Sequence, residues 1–151
     1  MATQSELDVA YLRMAYVWSS LSKAQRKKVG CLIVKDGSII ADGFNGTPQG
    51  FDNSCEREEE GRLITKDEVL HAESNAITKL AQSTQSSKGA TMYITIAPCI
   101  DCAKLIIQSG IRKIVFREAY RSTGGLILLK QAGIEVERVK VIYNDFVGKY
   151  A

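Results

Sequence analysis

From Ala90 onward the sequence alternates strand and helix with joints too short for anything but a compact crossover. "ATMYITI" (90–96) is β-prone, "PCIDCAKLIIQS" (98–109) is helical and stopped by Gly110, and "IRKIVF" (111–116) returns to strand. "TGGLILLKQA" is again helical and stopped by Gly133, and "IEVERVKV" ends the series as a strand. Strands joined through helices in this way lie parallel, with right-handed connections. Upstream, "VGCLIV" (29–34) and "IIADGF" (39–44) flank Asp36-Gly37, a hairpin turn signal, so the first two strands are expected to be antiparallel neighbours. Leu7, Tyr11, Met14, Trp18 and Leu21 recur at helical spacing, with Ser5 and Asp8 as an N-cap pair. The expected architecture is α/β, a three-layer α/β/α arrangement with a mixed five-stranded sheet and helices on both faces.

At 151 residues the chain suits one domain spanning 1–151. Residues 45–70 lack periodicity and hold Asp52, Glu56, Glu58, Glu59 and Glu60, so this stretch is expected to be a long irregular loop. No apolar run approaches the ~18 residues of a membrane span, and the N-terminus has neither a basic n-region nor an apolar h-region; a cytoplasmic protein without membrane contact is expected. A net charge of +3 names no partner, although Lys23, Arg26, Lys27, Lys28 and Lys35 cluster early, either as a solvated face or for phosphate recognition. Without a secretory signal, the four cysteines favour metal or redox chemistry over a disulfide framework.

Two motifs carry the chemistry. "HAE" (71–73) and "PCIDC" (98–102) supply His71, Cys99 and Cys102, the three protein ligands of a catalytic zinc whose fourth position is left for water. Cys99 and Cys102 are three apart, on one face of a first helical turn where the helix dipole favours thiolate, and Pro98 suits a helix entrance. His71 and Glu73 are two apart, so both can face one metal only if His71 starts its helix. Zinc lowers the pKa of a bound water toward about 7. Glu73, beside the metal without ligating it, would take the water proton, pass it to a ring nitrogen and later protonate the departing amine. A lone His is usually structural and a lone C-x-x-C can be a redox pair. Together, each opening a helix in this strand order, they match the H-x-E and P-C-x-x-C signature of zinc deaminases acting on cytosine or adenine.

The sequence resembles the deoxycytidylate (dCMP) deaminase family of the cytidine-deaminase-like fold through "KKVGCLIV", "GFNGTPQG", "LHAESNAI", "GATMYITIAPCIDCAKLIIQSGI" and "QAGIEV", between roughly Leu7 and Val141. The resemblance implies hydrolysis of dCMP to dUMP and ammonia, with dCTP a further substrate option. It also implies a hexamer, activation by dCTP with Mg(2+) and inhibition by dTTP. Carried over by position, Asn45 contacts the deoxyribose, Arg26 and Tyr120 the phosphate or sugar, and the Ala72 amide the cytosine carbonyl. Phe44, Gly46, Asn75 and Lys79 are the effector contacts it suggests, Lys79 being equally readable as a solvated lysine. Several relatives hold a second, structural zinc through a cysteine where this chain has Ala24, a cysteine matching Cys55 and further histidines. His71 is the only histidine here, so one zinc per chain is expected, with Cys55 a free thiol.

Two other functions share these residues. A tRNA or polynucleotide deaminase would use the same zinc core, but favours a broad basic surface that the +3 charge and the acidic 56–60 segment do not provide. A non-catalytic nucleotide sensor would keep the fold without the chemistry, yet no residue the chemistry needs is missing. "GFNGTPQG" (43–50) lacks the Gly-Lys-Ser/Thr ending of a P-loop; a plain turn would account for Gly43, Gly46, Pro48 and Gly50 but not for Phe44 and Asn45, and the resemblance implies instead a loop in which Asn45 faces the sugar and the glycines let the backbone approach an effector.

Overall fold

The computed structural model describes residues 1–140. The first helix, α1 (Gln4–Ser19), starts two residues earlier than Ser5 and Asp8 suggest. Thr3 is the cap: its Oγ1 accepts from the Glu6 amide at 3.1 Å and the Glu6 carboxylate accepts from the Thr3 amide at 2.7 Å, a complete capping box. Asp8 is buried instead, accepting from the Tyr93 hydroxyl at 2.6 Å and the Gln4 amide at 2.8 Å. The buried face runs through Leu12, Ala15, Tyr16 and Ser19, while Leu7, Met14 and Leu21 remain exposed. Apolar residues surround this helix, so spacing alone could not choose the stripe. Gly30 chooses it: a Cβ there would lie 1.9 Å from the Ala15 carbonyl oxygen, which seats α1 directly on the first strand.

That strand, β1 (Gly30–Lys35), turns back into β2 (Ser38–Phe44) through Asp36 and Gly37, both left-handed at φ 50° and 76°, the turn expected from Asp-Gly. After α2 (Ala72–Ala81) come β5 (Thr91–Ile96), α3 (Ile100–Gln108), β6 (Lys113–Glu118), α4 (Gly124–Gln131) and β7 (Glu135–Arg138). The helices stop at Gly110 and Gly133, each with φ 80°. The last strand ends at Arg138, and Val141 of the expected strand lies outside the described residues.

The sheet order is β2-β1-β5-β6-β7, antiparallel across β2, β1 and β5 and parallel across β5, β6 and β7, the mixed five-stranded sheet expected. Alternation along the strands sorts the core into two layers. Cys31, Ile33, Met92, Ile94, Ile114 and Phe116 pack against Ala76, Ala103, Ile106 and Leu129 of α2, α3 and α4. Leu32, Val34, Tyr93 and Val115 pack against Leu12, Ala15 and Tyr16 of α1.

Residues 45–70 are not wholly irregular. They contain an antiparallel pair, β3 (Glu56–Glu59) and β4 (Arg62–Thr65), turned through Glu60 (φ 49°) and Gly61 (φ 77°). Mostly exposed on both faces, this hairpin has none of the apolar alternation by which a strand is recognised; the Glu-Gly turn was its one sequence signal. Among the described residues no helix is long and apolar enough to cross a membrane.

Candidate metal centre and its cleft

His71 and Cys99 are the N-caps of α2 and α3, both in extended backbone conformation. This resolves the spacing problem of H-x-E, because a cap residue does not follow the helical wheel and its ring can turn toward the same gap as Glu73. Cys99 and Cys102 occupy the cap and third helical positions, whose side chains approach one another as in a capping box. Pro98 sits just before the cap of α3 instead of inside its first turn.

His71 presents Nδ1 to both sulfurs, at 3.5 Å from Cys99 Sγ and 3.3 Å from Cys102 Sγ. Bonds of about 2.0 Å to nitrogen and 2.3 Å to sulfur at a tetrahedral angle put the two atoms about 3.5 Å apart, so the three donors fit a zinc ion. All three ligand atoms lie within 4.8 Å of one another. Among the described residues this is the one such cluster of three. The cysteines, Cys55 included, are all unbridged.

Electrostatics favour the ligand state at Cys99 alone. The hydrogen bond from the Cys102 thiol, followed by that from His71, pulls Cys99 down to about 4. The Cys99 thiolate in turn raises His71, and the same bond holds the Cys102 proton in the metal-free constellation. Glu73 is buried at 4% exposure within reach of Cys102, and burial pushes its carboxyl up to about 7 against the opposing pull of its own amide and of His71. A carboxyl with this value exchanges protons readily near neutrality.

Above this floor opens a cleft of about 440 Å³, lined by Arg26, Lys27, Asn45, Glu56, Thr65, Ala72, Tyr120 and Arg121 among others. The structure therefore gathers Arg26, Asn45, Ala72 and Tyr120 with the metal ligands. Ala72 is the first residue of α2, where backbone amides have no intrahelical acceptor. The Asn45 amide is already engaged: Oδ1 accepts from the Val29 amide and Nδ2 donates to the Lys27 carbonyl, each at 2.8 Å. It ties the loop before β1 to the loop after β2, and retains one N–H and one lone pair for a ligand.

The cleft mouth holds two cations that motif reading did not assign. Lys27 donates to Glu118 at 2.8 Å; Glu118 also accepts from the Tyr16 hydroxyl at 2.6 Å. Burial raises the Glu118 carboxyl, but the bonds from Lys27 and Tyr16 outweigh it and the group ends below its ordinary value. Arg121 lies over the Tyr120 ring at 5.5 Å. Lys27 was visible only as part of a basic run, and Arg121 carried no signal.

Phe44, Gly46, Asn75 and Lys79 do not line this cleft. They follow the seam between β2 and α2, where Asn75 Nδ2 donates to the Phe44 carbonyl at 2.7 Å and Lys79 pairs with Asp42. The glycines of 43–50 differ in purpose. A Cβ on Gly43 would meet the Ala72 carbonyl oxygen at 2.4 Å, and Gly50 has φ 88°, whereas Gly46 has neither constraint and bridges to Leu70 through its backbone.

One nitrogen and two sulfur donors at two helix N-termini can hold a metal, and a proton-exchanging carboxyl beside them suits metal-assisted hydrolysis, the chemistry of the nucleobase deaminases. Residues 5–118 match the cytidine and deoxycytidylate deaminase zinc-binding region, and the chain belongs to that family. It is 37% identical to the deoxycytidylate deaminase of Enterobacteria phage T4, over 85% of this chain and 87% of that protein. With the Homo sapiens deoxycytidylate deaminase it shares 33% identity over 82% of this chain and 74% of the human one. The crystal structure of the dCMP deaminase from cyanophage S-TIM5, in complex with dCMP and dUMP, matches with a TM-score of 0.85 and 44% identity, covering 91% of this chain and 100% of that one.

Proposed function

We propose that this chain hydrolyses dCMP to dUMP and ammonia. The observation that carries the reading is the cleft itself: metal donors and a proton-exchanging carboxyl at its floor, and Arg26, Lys27 and Arg121 at its mouth. That polarity suits a ligand with a base at one end and an anion at the other. The cyanophage relative bound to dCMP and dUMP supports the same substrate.

His71, Cys99 and Cys102 would hold one zinc, which supplies Lewis acidity that makes water nucleophilic at neutral pH. The remaining work falls to this chain's own groups. Glu73 removes a proton from the attacking water and delivers it to N3 of the cytosine as the new C4–O bond forms. It then carries the second water proton to the amino group, so that ammonia departs as the C4–N bond breaks and the ring carbonyl of dUMP forms. The Ala72 amide donates to the cytosine carbonyl, Asn45 offers its remaining N–H or lone pair to the deoxyribose, and Arg26 with Tyr120 faces the phosphate or sugar. Lys27 and Arg121 add charge at the phosphate end.

Regulation and assembly belong to the same proposal. dCTP with Mg(2+) activates and dTTP inhibits, with Phe44, Gly46, Asn75 and Lys79 on the effector side. The support is continuity: Asn45 lies in the cleft wall while its neighbours Phe44 and Gly46 lie on the β2 and α2 seam. The exposed Leu7, Met14 and Leu21 supply apolar surface for a hexamer. dCTP as a substrate, and a cytoplasmic location, complete the reading.

Ammonia release from dCMP is the test. Glu73→Ala is expected to lower kcat about 10³- to 10⁴-fold while zinc content measured by atomic absorption stays at one per chain; undiminished turnover would refute the assigned role. Rates with dCMP and dCTP as substrates, each with dCTP or dTTP added, test substrate choice and regulation together. Phe44 or Gly46 variants are expected to change the dCTP and dTTP responses without changing unregulated turnover.

A further inference from the structure

We infer that Glu56 is a positioning residue that aims Arg26 at the substrate's phosphate, an inference resting on the dCMP reading above. Glu56 stands out within its own acidic run: it is 7% exposed, while Arg57, Glu58 and Glu59 beside it are solvated. Both of its oxygens accept from the Gln25 amide, at 3.1 and 2.9 Å, and Oε2 also accepts from the Arg26 amide at 3.0 Å. The carboxylate is therefore committed to the backbone of the loop between α1 and β1.

The Arg26 side chain is held separately. Its Nη1 donates to Thr65 Oγ1 at 3.1 Å, and Thr65 is the residue paired with Glu56 across the β3–β4 ladder. The end of that ladder is closed by the Lys66 amide donating to the Cys55 carbonyl at 2.8 Å. One hairpin thus grips Arg26 twice, by an acid on its backbone and by a neutral hydroxyl on its guanidinium.

The consequence is electrostatic. Lys27, the next residue, faces Glu118 at 2.8 Å and has its charge partly answered. Arg26, among the described residues, forms no ion pair with a carboxylate. Glu56 fixes the position of Arg26 without neutralising its side chain, leaving the guanidinium charge unanswered and, among the described residues, its N–H groups other than the one given to Thr65 free for bidentate recognition of a phosphate at the cleft. A glutamine at 56 would keep a single acceptor and turn its NH₂ toward one of the backbone amides.

The zinc-loaded enzyme tests this through steady-state kinetics with dCMP and inhibition by dUMP and by deoxyuridine, which lacks the phosphate. Glu56→Gln is expected to raise KM for dCMP and Ki for dUMP about tenfold, with kcat changed less than about threefold and the Ki for deoxyuridine unmoved. Glu56→Asp should fall between. In an Arg26→Ala background the same change should add less than about twofold, because both substitutions remove one interaction. Equal weakening of dUMP and deoxyuridine, or full additivity with Arg26→Ala, overturns the inference. Should Glu56→Gln fail to fold, Thr65→Val gives the second reading: selective weakening of dUMP by about threefold supports it and no selectivity overturns it. If Arg26→Ala itself weakens dUMP and deoxyuridine alike, the phosphate reading of Arg26 falls and this inference with it. A phosphate-selective Arg26→Ala beside an unselective Glu56→Gln removes the inference alone.

Discussion

The floor of the cleft and its mouth are built by different physics. At the floor, His71, Glu73, Cys99 and Cys102 sit on helix starts locked by backbone contact with a neighbouring element: Gly43 lets β2 touch the Ala72 carbonyl, and Gly125 lets α4 touch Pro98 and Cys99. At the mouth, Arg26 and Lys27 sit on a loop held by single side chains reaching across the sequence, Glu56 to residues 25 and 26, Asn45 to 27 and 29, Glu118 to 27. The floor is precise because backbones are in contact. The mouth is adjustable because its restraints are individual side-chain contacts, from about 0.5 kcal/mol for an exposed ion pair to about 1.5–3 kcal/mol for a hydrogen bond to a buried carboxylate. On the proposed reading, chemistry sits on the rigid part and ligand choice on the tunable part.

Three changes sharpen that contrast. The largest concerns Glu73 in the metal-free protein. Its carboxyl titrates near 4.5 when unfolded and about 7 when folded, so the native state binds more protons between those values and stability falls as pH rises through them. The loss is complete above the folded value and amounts to on the order of 3 kcal/mol. Glu73→Gln should remove it: urea midpoints in chelator should show the variant gaining on wild type from pH 4.5 to 8, and a flat difference would show that the floor does not strain this group. Next, a Cβ from Gly125→Ala would lie 2.2 Å from the Pro98 carbonyl oxygen and 2.9 Å from Cys99 backbone atoms. Overpacking of this kind costs about 1–3 kcal/mol, and here it should also weaken zinc retention in a chelator competition; a variant holding zinc like wild type would mean the floor yields as easily as the mouth. The smallest is at the mouth, where Lys27→Ala should raise KM for dCMP about tenfold with zinc content and kcat nearly unchanged, and with a melting shift of only a degree or two for an exposed ion pair of about 0.5 kcal/mol. A collapse in kcat there would erase the distinction between the two regions.

The same contrast explains what could be read from the sequence. The donors His71, Cys99 and Cys102, with Glu73, announce themselves by residue type and local spacing, and the parallel half of the sheet by its helix stops at Gly110 and Gly133. These signals are local because caps, ligands and turns are local. Glu56 was hidden among Glu58, Glu59 and Glu60, since burial of one acid in a charged run depends on amides some thirty residues earlier. The hairpin around it carries no apolar alternation. Helix α1 was legible as a helix, but its buried stripe was set by contact with Gly30, a partner that periodicity cannot name.

The exposed stretch from Ala81 to Ser86 separates the segment carrying His71 and Glu73 from the segment carrying Cys99 and Cys102. The two segments meet along the antiparallel ladder of β1 with β5, where Cys31 faces Ile94 and Val34 faces Thr91. Cut at that stretch, the chain would become two fragments with one metal donor on the first and two on the second. Neither fragment alone holds the three-donor set, so the ion would serve as a clasp between them, and its occupancy would report whether the halves had found each other.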